Sequence, residues 1–262
     1  MKSQKVNVIN NSTRNKIKIF KFLLSKINKI NKNNVNGFHS FQGRSSKNGK
    51  ITVRHKGGRV KRLFRHLNFS NKEFKGIIIT TMYDPNRSSF ISLIFDFKKK
   101  QFFKTLTTNF SLPGSLIICT VKKIDLKLGY RTPIYNIPTG SLFHSLNLSN
   151  RTTTQIARSA GSYCQLVQKN FKTSKIKIPS GKFIEILNKF SYGTLGVVSN
   201  SIHRTIRVGK AGINRLKGKR PTVRGIAMNP VDHPHGGRAN GGIHWKTPWG
   251  ISTKGKKTSK KL

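Results

Sequence analysis

Asp232, His233 and His235 stand almost side by side in the sequence, with Pro234 between the two histidines. A carboxylate and two imidazoles this close suit three kinds of chemistry. A carboxylate that orients an imidazole can make it a general base. Two imidazoles can also begin a tetrahedral zinc site, although no third or fourth ligand accompanies these two. The third role is structural, a hydrogen-bonding pair that fixes a loop against a polyanion. Pro234 keeps the intervening backbone extended, so both rings tend to point the same way, with Asp232 opposite.

The surrounding stretch, Pro221 to Gly250, reads PTVRGIAMNPVDHPHGGRANGGIHWKTPWG and has almost no periodic apolar residues. Pro221, Pro230, Pro234 and Pro248 exclude a regular helix. Asp232 is the only acid after Glu185, whereas Arg220, Arg224, Arg238 and Lys246 surround the loop. A segment so basic, so turn-rich and so poor in apolar side chains cannot bury enough of itself to fold alone. Trp245 and Trp249 suit either a small satellite core or stacking platforms for unpaired bases.

The whole chain continues this imbalance. It has 262 residues with 52 Lys+Arg against 6 Asp+Glu, a formal charge of +46. Self-repulsion on that scale calls for a counter-charge: nucleic acid, an anionic membrane surface or an acidic protein. The acids are Glu73, Asp84, Asp96, Asp125, Glu185 and Asp232, and no two are near neighbours. Paired-carboxylate catalysis and carboxylate metal cages are thus unsupported, and no metal site or cofactor is expected. Cys119 and Cys164 lie in apolar stretches outside any CxxC pattern, so they read as reduced, buried thiols.

No apolar run is long enough for a spanning helix. Lys alternates with Ile, Phe and Leu from Ile17 to Ile30, which could form a basic amphipathic helix. That allows a mitochondrial transit peptide or an arm on nucleic acid. Lys, Asn, Ile and Phe, the residues of A/T-rich codons, dominate throughout, as in the genome of an organelle.

Four regions follow in order. Residues 1–43 form a basic arm, and residues 44–126 a small barrel of the oligonucleotide-binding kind. Its strands are expected at Leu63–Phe69, Gly76–Tyr83, Phe90–Phe97, Phe102–Leu106 and Leu116–Val121, with a Pro-initiated turn at Asp84–Arg87. Residues 127–203 form a second small barrel. Its strands are expected at Ile134–Ile137, Ser141–Leu146, Gln155–Ala157, Tyr163–Gln168, Ser174–Ile178, Phe183–Leu187 and Leu195–Val198, with a hairpin turn at Pro179–Gly181. Residues 204–262 form a basic Gly/Pro-rich extension.

Particular runs of residues then resemble one family. They are YDPNRS (Tyr83–Ser88), ARSAG (Ala157–Gly161), GKAG (Gly209–Gly212), RPTVRG (Arg220–Gly225), MNPVDHPHGG (Met228–Gly237), TPWG (Thr247–Gly250) and TKGKKT (Thr253–Thr258). From about Gly43 to Thr258 these are similar to the universal large-subunit ribosomal protein two of bacterial type, in family order. The resemblance implies an oligonucleotide-binding barrel followed by an SH3-like barrel, with extensions running into large-subunit rRNA near the peptidyl transferase centre. It also implies roles in assembly and subunit association, neighbouring ribosomal proteins as partners, and a contact between the second barrel and the small subunit.

The histidine discussed in that family as supporting peptidyl transfer falls on His233. Ribosomal chemistry is carried mainly by RNA, so His233 is a weak candidate for that role. The family pattern Gly-Gly-Gly-Glu-Gly-Arg is replaced here by Gly236-Gly237-Arg238-Ala239-Asn240-Gly241, and the exchange of an acid for Arg238 favours phosphate contact. The N-terminal arm does not resemble the family's start.

Together these readings describe a structural rRNA-binding protein, not an enzyme. Its expected rRNA contacts ahead of the extension are Arg44, Arg54, Lys56 and Arg59, then Arg87 and Arg158 beside turns. In the extension they are Lys210, Arg215, Lys219, Arg220 and Arg224, then Asn229, His233, His235 and Arg238, and finally Trp245, Trp249, Lys254, Lys256 and Lys257. Magnesium could accompany the rRNA. The expected setting is a mitochondrial ribosome in the matrix, with a plastid or the bacterial cytoplasm as alternatives. An RNA-directed enzyme using Asp232, His233 and His235, and a cationic membrane-surface protein using Ile17 to Ile30, are the rival readings.

Overall fold

The computed structural model describes residues 42–148, 154–237 and 244–255, together with the backbone of short strands nearer the N-terminus. Of these, β1 (Ser3–Lys5) runs antiparallel to β2 (Ile17–Ile19), and β3 (Val35–Asn36) antiparallel to β4 (Phe64–Arg65). The helix considered for Ile17 to Ile30 is therefore a strand at its start, and residues 20–30 lie outside the described residues. The chain folds as two compact units, the first Met1–His39 with Lys61–Lys210, the second Ser40–Val60 with Ala211–Leu262.

In the first unit, runs of β-branched and aromatic residues form β5 (Phe74–Met82), β6 (Ile91–Asp96), β7 (Gln101–Leu106) and β8 (Leu116–Cys119). β5, β6 and β7 make an antiparallel meander, and β8 pairs with the other edge of β5. Their inner faces bury Ile78, Ile94 and Ile117 in one cluster and Met82, Ile91 and Leu93 in another. Each such side chain contributes roughly 1.5–3 kcal/mol on burial. β6 is buried on both faces, so Ser92 needs an internal partner, and its Oγ lies 2.8 Å from Thr107 Oγ1.

The same unit continues with β9 (Arg131–Pro133), β10 (Leu142–His144), β11 (Cys164–Lys169), β12 (Thr173–Lys177), β13 (Phe183–Leu187) and β14 (Tyr192–Leu195). All join one sheet in the order β13-β12-β11-β10-β14-β9-β8-β5-β6-β7. The two halves of the sheet meet where β8 and β9 pair in parallel, Cys119 opposite Arg131. Ile134, Ile137, Phe143, Leu146, Leu166 and Ile176 fill the second core. Gly193 has no side chain because Phe143 occupies its place, a Cβ there falling 2.6 Å from the ring. The fold is thus mainly β, an oligonucleotide-binding barrel followed by an SH3-like barrel.

Several expected strands are shorter or absent. Of Leu63–Phe69 only Phe64–Arg65 is strand, because its partner β3 spans only Val35–Asn36 and the Leu63 carbonyl is taken by the Asn86 side chain. Pro133 ends β9, and Ile134–Asn136 coils into a 3-10 turn where a strand is expected. Ala157 has φ 55, so Gln155–Ala157 pairs only through the single bridge of Ile156 to Leu146. The last strand is Tyr192–Leu195, stopped by Gly196 at φ 104, not Leu195–Val198. The turns at Asp84–Arg87 and Pro179–Gly181 do join β5 to β6 and β12 to β13.

The second unit has little regular structure. Among the described residues its helical elements are α1 (Ala211–Leu216) and a 3-10 turn at Gly225–Ala227. Residues 55–60, read in sequence with the first barrel, instead pair with the segment after α1. Gly57 N–H donates to Gly218 O, Val60 N–H to Leu216 O and Arg220 N–H to His55 O, at 3.1, 3.2 and 3.0 Å.

Candidate nucleic-acid interface

The Pro221–Gly250 stretch has its shape from backbone turns. The carbonyl of Asn229 accepts the N–H groups of Asp232 and His233, at 3.0 and 3.2 Å, so the Met228–Gly237 run closes on itself. Gly236 permits this closure, since a Cβ there would fall 2.3 Å from the Asn229 oxygen. Inside the turn His233 is buried, only 8% exposed, whereas Asp232 is exposed.

The two imidazoles lie together as the Pro234 spacing suggests, with ring centroids 4.5 Å apart. His233 Nδ1 accepts the His235 N–H at 3.0 Å, which places the proton of a neutral His233 ring on Nε2. That nitrogen is then a donor, suited to a phosphate or a base edge and unsuited to removing a proton. Among the described residues no hydrogen bond or ion pair joins the Asp232 carboxylate to either ring. His235 Nε2 is 3.1 Å from both the Lys246 amide and the His244 carbonyl, so its tautomer selects one of them. No group of ligands able to hold a metal occurs among the described residues.

Around this loop the cations sit on aromatic faces. Trp245 and Trp249 are 60% and 71% exposed, which removes them from any core. The Lys254 ammonium lies 3.9 Å from the Trp245 ring centroid and the Arg54 guanidinium 5.0 Å from that of Trp249. An open groove of about 990 Å³ runs beside Arg54, with Arg44, Lys56, Arg215 and Arg220 among its lining and Ile51, Val53 and Pro221 as its apolar floor. Lys56 and Lys219 face each other across an isolated bridge, which gathers charge at one point of the ladder. Arg59 is half-buried, and Lys210, Arg224 and Asn229 are exposed. Arg238, Lys256 and Lys257 lie outside the described residues.

A second cationic groove, of about 650 Å³, opens on the first unit, lined in part by Arg65, His66, Arg87 and Arg158. Asp84, with no exposure at all, lies beneath it. Its Oδ2 accepts Arg87 Nε at 2.6 Å, and its Oδ1 is 3.8 Å from Arg65 Nη1. Arg158 lies over Phe69 at 5.8 Å. Of these, Arg87 and Arg158 are among the contacts expected from the sequence, and Arg65 and His66 are not. The Asp84/Arg87 spacing was the available signal for a buttressed arginine, whereas nothing local marks Arg65.

The interior holds a further cation that the sequence does not reveal. Arg131 is buried where β8 and β9 meet and bonds Asn71 Oδ1 (2.8 and 3.2 Å), Ser145 O (3.1 Å) and Thr194 Oγ1 (3.2 Å). Desolvation lowers its pKa to about 10. His144 lies close by, and desolvation with the Arg131 charge brings its pKa down to about 3. Burial raises the Cys119 and Cys164 thiols to about 11 and about 12, and both are free, as expected.

Comparison with known families closes the question of kinship. Residues 31–119 match the family described as Ribosomal Proteins L2, RNA binding N-terminal domain, and residues 127–255 match Ribosomal Proteins L2, C-terminal domain. The chain belongs to the ribosomal protein L2 family. Among L2 relatives, the large ribosomal subunit protein uL2 of Agrobacterium fabrum is 42% identical over 227 residues, covering 83% of this chain and 81% of its own. The uL2 protein of Wolbachia sp. subsp. Brugia malayi is 40% identical over 223 residues, covering 84% and 81%. That of Phenylobacterium zucineum is 41% identical over 218 residues, covering 81% and 77%. The L2 match runs through both barrels and most of the extension, so the loop, the tryptophans and both grooves lie inside it.

Proposed function

We propose that this chain is a structural constituent of the large ribosomal subunit that binds large-subunit rRNA and supports folding of the peptidyl transferase region and subunit association. The observation that carries the reading is the match of both L2 domains, in order, along a chain of formal charge +46. The geometry supplies a mechanism. Exposed tryptophans topped by cations suit stacked bases, and arginine-lined grooves suit the backbone between them. Neighbouring ribosomal proteins and the small subunit are its further partners, and magnesium accompanies the rRNA.

The protein acts without catalysing a reaction of its own. His233 offers a donor at Nε2, and Asp232 does not orient it. His233 therefore serves the loop's shape and its contact with RNA. No helix among the described residues is long and apolar enough to cross a membrane. Lys-, Asn-, Ile- and Phe-rich composition favours a mitochondrial ribosome as the setting, though the relatives compared are bacterial. Detection in purified mitochondria, with none in other fractions, tests that placement.

Salt titration of rRNA binding tests the function. If the protein engages ~6–10 phosphates, affinity falls ~10³–10⁵-fold between 50 and 200 mM salt. A flat response contradicts the proposal.

A further inference from the structure

A small cavity beside the β8–β9 junction contains a buried charge with no counter-charge. Arg131 lines it, and no ion pair of Arg131 occurs among the described residues. The cavity measures about 40 Å³, its lining includes no acid, and the buried Leu106 and Ile117 close its apolar side. Burying a cation is costly unless an opposite charge stands near it. Here the bonds that Arg131 donates all end on neutral acceptors, namely Asn71 Oδ1, the Ser145 carbonyl and Thr194 Oγ1.

The donors around this cavity outnumber what they meet. A guanidinium has five N–H groups, and the bonds from Nε, Nη2 and twice from Nη1 leave one Nη2 hydrogen over. Thr194 Oγ1 accepts from Arg131, so its own hydroxyl hydrogen remains to be given. The His144 ring, with its pKa near 3, is neutral at ordinary pH and carries one N–H and one bare nitrogen. Thr108 Oγ1 and Ser145 Oγ face those two nitrogens, so one hydroxyl donates to the ring and the other accepts from it. The hydroxyl that accepts keeps its hydrogen. A guanidinium N–H and two hydroxyls of residues lining one cavity are thus left without an acceptor among the described residues. Water there would bring two further hydrogens of its own. An anion only accepts.

We propose that this cavity is a site for one small monovalent anion, a halide such as chloride, held by Arg131, by the Thr194 hydroxyl and by the free hydroxyl of the Thr108 and Ser145 pair. The space suits a single ion, since one water takes about 30 Å³ in the liquid. A phosphate group, with five heavy atoms, does not fit, which separates this site from any contact with RNA. The bound ion ties β9, β10 and β14 to the segment after β7, and so fastens the two halves of the sheet where Cys119 pairs with Arg131.

The test melts full-length protein, freed of RNA, at constant ionic strength while sodium gluconate is replaced by sodium chloride. Gluconate is too large for the cavity. For a site half-filled at ~10 mM, chloride at about 150 mM is expected to raise the melting temperature by roughly 3–6 °C, saturably. Arg131→Gln removes one cation of 52 and so hardly alters the diffuse cloud of anions, yet it is expected to abolish that rise. It is also expected to remove the bromide-displaceable broadening of the chloride NMR line. Thr194→Val keeps the shape and the charge and is expected to weaken chloride about tenfold by both readouts. Should Arg131→Gln fail to fold, Thr194→Val decides alone. Equal stabilisation by gluconate and chloride means that the cavity holds only water, and it overturns the proposal. A chloride-dependent rise that persists unchanged in the variants assigns the ion to the general surface and overturns it too. Neither result bears on whether the protein binds RNA.

Discussion

The His233 imidazole rests directly on the α-carbon of Gly225, where a Cβ would come within 2.6 Å of the ring. The contact joins the RPTVRG run to the MNPVDHPHGG run across the loop, and it explains why position 225 has no side chain. Gly225→Ala must displace the ring or the turn at Gly225–Ala227, at a cost of about 1–3 kcal/mol typical of overpacking. Hydrogen exchange at the His235 and Gly236 amides, which the loop protects, reports it. The same substitution in a His233→Ala background is expected to cost much less, since the clash has gone.

Inside the first unit, His144 predicts an acid sensitivity. Its Nε2 is 3.0 Å from Thr108 Oγ1 and its Nδ1 2.9 Å from Ser145 Oγ, and burial holds its pKa near 3. The folded value lies below the ordinary 6.5, so the unfolded chain binds more protons between the two and stability rises with pH there. The contribution is complete above 6.5 and is lost as pH falls toward 3, by at most about 1.4 kcal/mol per pH unit. Urea unfolding of the protein and of His144→Gln across that range measures the difference. A variant with the same pH slope as the natural protein would refute the assignment.

The tryptophans give a prediction about binding. Trp245→Ala and Trp249→Ala are each expected to cost about 1–3 kcal/mol of affinity for unpaired RNA, while Trp→Phe at either place keeps much of it. Stacking also quenches tryptophan emission, so titration with single-stranded RNA should dim the natural protein. Emission unchanged at saturating RNA would show that the rings serve something else.

What the sequence made legible depended on where the information lies. The turn at Asp84–Arg87 and the hairpin at Pro179–Gly181 were readable because Pro and Gly act on their immediate neighbours. β9 was missed because Arg131–Pro133 follows no strand pattern. It is a strand because its backbone pairs with Tyr192–Thr194 of β14, some sixty residues on in the chain. Residues 55–60 were read with the first barrel because their pairing with 216–220 passes through backbone groups, which leave no trace in side-chain pattern. In the site, the closeness of the histidine pair could be anticipated from type and spacing, whereas the sequence left Trp245 and Trp249 open between a small core and an exposed platform. The cations above the tryptophans could not, since Arg54 reaches Trp249 from the far side of the chain.

One experiment bears most directly on the whole account: sedimentation of the native protein through a sucrose gradient, before and after ribonuclease, with each fraction probed for the chain. Co-migration with large ribosomal subunits that ribonuclease abolishes is the predicted result. A chain that stays at the top of the gradient, or that sediments unchanged after ribonuclease, would contradict it.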